Sequence, residues 1–286
     1  MRTLLLLSPP MTGSDVSAWQ QFLTAQGILP GTVDGIYGPV TTQATRDYQS
    51  SRGLTADGIA GPATFAQAAR DGFAAAGASG GPAAAGMDAS VNCGPFAACI
   101  VAAGMRFVAR YYSQSAGKAM TRTEALALSQ AGLSLAAVYQ DANNGIQFFT
   151  AALGQQSAAR ALAQASAVGQ PAGSAIYFAA DFDPSPSQVN GPLTDYFRAV
   201  AQTFSAAATH YAVGVYGSGL TCRTIRDAGL ATFTWLSGST GFQESASFRP
   251  EADLVQIAPS RSICGGGLNI DDDLAQSPNF GAFQVS

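Results

Sequence analysis

The 286-residue chain has room for one barrel-sized domain plus a small one, and its 47% apolar content allows a large core. Charged residues make up 11%, against about 25% in an average soluble domain, and the formal net charge is −4. This excludes a basic surface for nucleic acid or an anionic membrane, and no apolar run approaches the roughly 20 residues that cross a bilayer. A neutral or cationic polymer is the better-matched partner.

The chain opens on Met1-Arg2-Thr3 and four leucines, which mimics a signal peptide. Four apolar residues fall short of the roughly 7–15 of a signal core, and Pro9-Pro10 follows at once. The stretch reads as part of the first domain, so work outside the cytoplasm needs another export route. Ser14-Asp15 can cap a helix that carries Val16, Trp19, Phe22 and Leu23 on one face. The segment Asp34-Gly35-Ile36-Tyr37-Gly38-Pro39-Val40-Thr41 then recurs 23 residues later as Asp57-Gly58-Ile59-Ala60-Gly61-Pro62-Ala63-Thr64. Asp-Gly supplies a tight turn and Pro suits a first helical position, so each copy reads as a turn and a helix start. Residues 41–52 between them are amphipathic. The expectation is a three-helix domain over residues 1–71.

The doubled motif resembles the type 1 peptidoglycan-binding domain over residues 4–69. The resemblance implies binding of wall peptide or glycan near the repeat loops, with Asp34, Tyr37, Asp57 and Thr64 as candidate contacts. The alternative is that these residues only build the turns. Residues 72–85 are nearly all Gly and Ala without periodicity and read as a linker.

From residue 86 to 286, short apolar runs alternate with Ala-rich helical stretches. Strands are expected at 86–90, 106–112, 133–141, 174–181, 211–217, 232–237, 253–257 and 267–271, with helices at 123–131, 146–168, 187–209 and 220–228. Eight such units predict an α/β fold, a (β/α)8 TIM-like barrel. A doubly wound open sheet competes, but it usually carries a Gly-rich loop after its first strand, and Asp88-Ala89-Ser90-Val91-Asn92 offers none. With no P-loop or complete dinucleotide fingerprint, no cofactor is expected.

Each strand ends on a polar or aromatic residue: Asp88, Tyr111, Tyr139 with Asp141, Asp181 with Asp183, Tyr216, Trp235, Gln256 and Asp271. If the fourth strand runs far enough, alternation points Asp181 and Asp183 the same way. A carboxylate cluster splits its pKa values, leaving one member as a proton donor for glycosidic cleavage. Asp88, Asp181, Asp183 and Asp271 are the catalytic candidates. Tyr111, Tyr139, Asp141, Tyr216, Trp235 and Gln256 are candidates for binding sugar. Asp272 and Asp273 read as a plain loop or, with Asp271, a calcium site. His210 lies at the wrong end of its strand for a catalytic triad. Four cysteines at this spacing do not suit zinc, so no metal is expected. Disulfides Cys93–Cys99 and Cys222–Cys264 are expected, with four buried thiols as the alternative.

Gly86-Met87-Asp88, Tyr177 to Asp183, and Asn269-Ile270-Asp271 resemble the glycoside-hydrolase-like domain of mycobacterial type, which is similar to the family 25 muramidases. The resemblance implies cleavage of the β-1,4 bond between N-acetylmuramic acid and N-acetylglucosamine. It also implies Asp183 as general acid at a position where muramidases carry Glu, one methylene longer. Asp181 would then stabilise charge or orient the substrate, with Asp88 and Asp271 positioning and tuning. The expected function is a peptidoglycan glycosidase that acts outside the cytoplasm as a monomer. The alternatives are a glycan-binding protein that has lost turnover, and an amidase or peptidase acting on the wall peptide.

Overall fold

A computed structural model describes residues 4–6, 10–12, 14–31, 33–71, 73 and 84–286. Contacts divide the chain into two units, Met1–Gly81 and Pro82–Ser286. The expected linker lies outside the described residues except at 73, 84 and 85. Phe73 packs in the core of the first unit, and residues 84 and 85 open the first barrel strand.

The first unit contains β1 (Met11–Thr12), α1 (Ser14–Ala25), β2 (Ile36–Tyr37), α2 (Pro39–Ser51) and α3 (Pro62–Arg70). Its core forms around Trp19. The indole stacks on Phe22, meets Tyr48, Phe65 and Phe73 edge-on, and donates to Thr45 Oγ1 at 2.9 Å. Leu4 is buried and pairs with Ala60 through two backbone hydrogen bonds.

The repeated motif folds around two buried glutamines. Gln20 Nε2 donates to Asp34 Oδ1, Ile36 O and Thr41 Oγ1, while its Oε1 accepts from Gly35 N. Gln49 repeats the pattern with Asp57 Oδ1, Ile59 O, Thr64 Oγ1 and Gly58 N. Tyr37 is fully buried, its hydroxyl 2.9 Å from Gly58 O and 2.7 Å from Thr45 Oγ1. The expectation that Tyr37 and Thr64 contact the wall is therefore corrected: both are inside, holding the loops. Asp34 and Asp57 stay exposed, each with one oxygen committed to its own turn. Gln49→Leu strands several of these buried groups. It is expected to destabilise this unit by about 2–4 kcal/mol, read as faster amide hydrogen exchange over residues 57–64.

The second unit is a closed eight-stranded barrel. In chain order its strands are β3 (Ala84–Asp88), β4 (Phe107–Tyr112), β5 (Ser134–Tyr139), β6 (Ala175–Ala179), β7 (Ala212–Gly217), β8 (Phe233–Leu236), β9 (Leu254–Ile263) and β10 (Leu268–Ala275). Around them lie α4 (Ala97–Ala102), α5 (Arg122–Gln130), α6 (Ala151–Val168), α7 (Pro186–Gln188), α8 (Thr194–Ser205) and α9 (Gly219–Asp227). Strict alternation divides the side chains. Phe107, Ala109, Ala136, Val138, Tyr177, Phe233 and Trp235 fill the barrel, while Val108, Leu135, Ile176, Phe178 and Val215 pack outward under the helices. Gly214 makes room for Tyr177, since a Cβ there would sit 2.4 Å from its ring. Among the described residues no helix is long and apolar enough to cross a membrane.

Strands β3 to β9 pair in parallel, but β10 runs antiparallel to both neighbours. This departs from the expected all-parallel ring. Residues 264–267 join β9 to β10, and a link that short makes a hairpin, whereas a parallel crossover needs a dozen or more residues.

Cysteine pairing also departs from expectation. Cys99 in α4 bonds Cys264 at the hairpin tip, with Cα atoms 5.8 Å apart, while Cys93 and Cys222 are buried free thiols. Cys222 lies on the inner face of α9, its sulfur directed at backbone carbonyls of β7 and β8, so it is unavailable to the hairpin. The disulfide spans 165 residues of sequence. Cys264→Ser is expected to lower unfolding free energy by about 2–4 kcal/mol, measured by urea denaturation.

Candidate active site

The C-terminal ends of the parallel strands surround a cavity of about 460 Å³, within the usual range of ligand sites. Tyr111, Gln140, Asp181, Tyr216, Trp235, Gln256 and Asp271 contribute to its wall. Parity along the strands explains the set. Residues 107 and 109 face the barrel interior, and 111 continues that face. Residues 136 and 138 do the same for 140, and 175, 177 and 179 for 181. Asp271 reaches the same rim from the opposite chain direction, because antiparallel β10 pairs it with Asp88.

Asp88 lies beneath the rim, 2% exposed. Tyr111 Oη donates to its Oδ1 at 2.6 Å and Gln256 Nε2 to its Oδ2 at 2.7 Å, while Tyr216 Oη donates to Gln256 Oε1 at 2.9 Å. Burial pushes the Asp88 pKa up to about 6, with Asp271 adding to the rise against the two hydrogen bonds and Lys118. Asp181 is exposed at the mouth. The surrounding walls still raise its pKa by desolvation, with Asp271 adding, while Lys118 and Gln140 oppose.

Three expected residues lie elsewhere. The chain bends at Phe182, beyond the end of β6 at Ala179, so alternation does not carry to Asp183. Asp183 is not among the residues lining the cavity; its Oδ1 accepts from Gln243 N at 2.9 Å and so holds the loop before α10 (Ser245–Phe248). Tyr139 has the outward parity of β5 and packs on Phe178. Its hydroxyl donates to Asp141, which also accepts from Ser113 Oγ and Gln114 N. Tyr139 and Asp141 line a separate hollow of about 170 Å³ with Arg160, Phe148 and Tyr196.

Sequence reasoning missed Gln140, Lys118 and Asp273. Gln140 had a signal in the parity of Ala136 and Val138; Lys118, on a loop, had none. Asp273 read as a loop residue only while β10 was taken to end at Asp271. In the barrel it is 2% exposed, accepts from Trp235 Nε1 at 2.9 Å, and leaves Oδ2 without a hydrogen-bond partner among the described residues. Burial, with Asp88 nearby, raises its pKa well above the usual carboxylate range. The other aspartates of that run diverge, Asp271 to Ser260 and Asp272 to Arg261. Among the described residues no group of three or more His, Cys, Asp or Glu could hold a metal ion.

Comparison with known proteins matches residues 98–275 to the family described as Rv2525c-like, glycoside hydrolase-like domain. The chain belongs to this family. Residues 12–67 match the putative peptidoglycan binding domain. The crystal structure of the Mycobacterium tuberculosis Tat-secreted protein Rv2525c in complex with L-tartrate superposes with a TM-score of 0.59 at 26% identity, over 70% of this chain and 98% of that one. The uncharacterised YbfG of Bacillus subtilis is 28% identical over 172 residues, 57% of this chain and 24% of its own length. The zinc D-Ala-D-Ala carboxypeptidase of Streptomyces albus G is 47% identical over 58 residues, 18% of this chain and 23% of its own. The chain thus spans about a quarter of the length of these two curated relatives. It is a glycoside hydrolase-like barrel joined to a peptidoglycan-binding domain.

Proposed function

We propose that the barrel hydrolyses a glycosidic bond of peptidoglycan, the β-1,4 bond between N-acetylmuramic acid and N-acetylglucosamine. The observation that carries this reading is that Asp181 and Asp271 line one cavity with Tyr111, Tyr216 and Trp235. Asp181, with its raised pKa, gives its proton to the leaving oxygen as the bond from that oxygen to the anomeric carbon breaks. Asp271 faces the positive charge that develops on the sugar. Water then adds to the anomeric carbon and returns a proton. Asp88 anchors Tyr111 and Gln256 from below, so their positions are set before substrate arrives. Asp183 keeps a supporting part, steadying the loop at Gln243.

The N-terminal unit would keep the barrel at the insoluble wall and raise its effective local concentration. We place the work outside the cytoplasm, where a disulfide persists and where a Tat-secreted relative is directed. The test is release of new reducing ends from purified peptidoglycan. A second reading, a glycan-binding barrel without turnover, draws on Asp183, whose carboxylate is committed to Gln243. It predicts retention on walls with no new reducing ends, whereas an amidase would release amino groups instead.

A further inference from the structure

The chain contains fourteen Lys and Arg residues in all, and Lys118 is its one lysine. It sits on the loop between β4 and α5, beside the cavity. Its Nζ lies 4.0 Å from the centroid of the Tyr111 ring and donates to Gln140 Oε1 at 2.6 Å. Tyr111 in turn donates to Asp88 at 2.6 Å, and Gln140 Nε2 reaches Asp181 Oδ2 at 3.4 Å. One ammonium therefore meets each of two separate acids through a single intervening side chain. Its own backbone is tied on both sides: Lys118 O accepts from Arg110 Nη2 at 3.1 Å, and Met120 N donates to Tyr111 O at 2.8 Å.

We propose that Lys118 is a positioning residue that couples Asp88 and Asp181 across the cavity, through the face of Tyr111 and the amide of Gln140. The ammonium favours the ionised form of both acids and aligns the two groups that touch them. The charges around it fit this role. Asp181, Asp88 and Asp141 all stabilise the Lys118 cation against its burial, and Arg110 opposes them. Asp88 additionally faces Asp271 and Asp273, and Asp181 faces Asp271. Lys118 is thus a cation that Asp88 and Asp181 share.

A single lysine makes the test direct. In the full chain labelled with [ε-¹³C]lysine, Lys118 gives one side-chain signal, and no turnover is needed to observe it. Between pH 4 and 8 that signal is expected to follow the ionisation of both acids. Asp88→Asn and Asp181→Asn should each remove one part of the response. A signal that ignores pH over this range, or that changes with only one of the two substitutions, would overturn the coupling. The second arm rests on the glycosidase reading. In Lys118→Met the pH profile of hydrolysis is expected to move upward by about one unit, because loss of the cation raises both acid pKa values. Lys118→Arg should restore most of the wild-type profile. A uniform loss of rate with an unmoved profile would mean that the side chain only packs. If wild type releases no reducing ends, the glycosidase reading fails while the labelled-lysine result still decides the coupling.

Discussion

Asp181→Asn is expected to lower the release of reducing ends from peptidoglycan by roughly 10²–10⁴-fold, while leaving retention on the wall unchanged. The asparagine keeps the size and the contact with Gln140 but has no proton to give. Asp183→Asn separates this assignment from the one implied by the muramidase resemblance. Its carboxylate serves Gln243 rather than the cavity, so the expected loss is less than about tenfold. A reversed order of the two variants would move the donor to Asp183. The pH dependence has a definite sign. A general acid works protonated, so the wild-type rate falls as pH rises through the pKa of Asp181. That pKa is raised by desolvation and by Asp271, which extends activity toward neutrality compared with an ordinary carboxyl.

Arg110→Met is expected to destabilise the barrel by about 3–5 kcal/mol, a fall of roughly 10 °C in Tm for a unit of this size, measured by calorimetry. Arg110 faces outward from β4 and is fully buried, its guanidinium 2.5 Å from Glu124 Oε1. It also donates to Ala89 O and Lys118 O, and Glu124 accepts from Cys93 N. One ion pair thereby ties the loop after β3 to the loop after β4. Removing the arginine leaves the Glu124 charge buried without its partner, and most of the loss comes from there. Arg110→Met with Glu124→Leu should recover part of the stability, because no charge is left unpaired, while Ala89 O and Cys93 N still lose their partners. The double variant should still loosen the loop that carries Lys118. A single variant as stable as wild type would show that water reaches the pair.

Much of the barrel was legible because each strand announces itself locally. An apolar run such as Ala175 to Ala179, closed by a polar residue, identifies a buried strand wherever it lies in the chain. The places where sequence reasoning departed share a cause. Tyr139 and Gln140 are adjacent and both suit a sugar site, yet the pairing of β5 with its neighbours decides which one faces inward. Asp183 sits one alternation beyond Asp181, but the chain bends at Phe182 between them. In the N-terminal unit the repeat was plain. The glutamines that hold it, Gln20 and Gln49, lie 14 and 8 residues ahead of their aspartates, a spacing with no period to detect.

By itself, then, the sequence determined the number of barrel strands and the helical three-part front unit. These follow from hydrophobic alternation and turn chemistry, which act over a few residues. Tertiary structure alone decided the direction of β10, the Cys99–Cys264 bond, the burial of Asp273 and the placing of Lys118 against Tyr111 and Gln140. Each depends on which distant segments pack together, and closure of the barrel sets that for all eight strands at once.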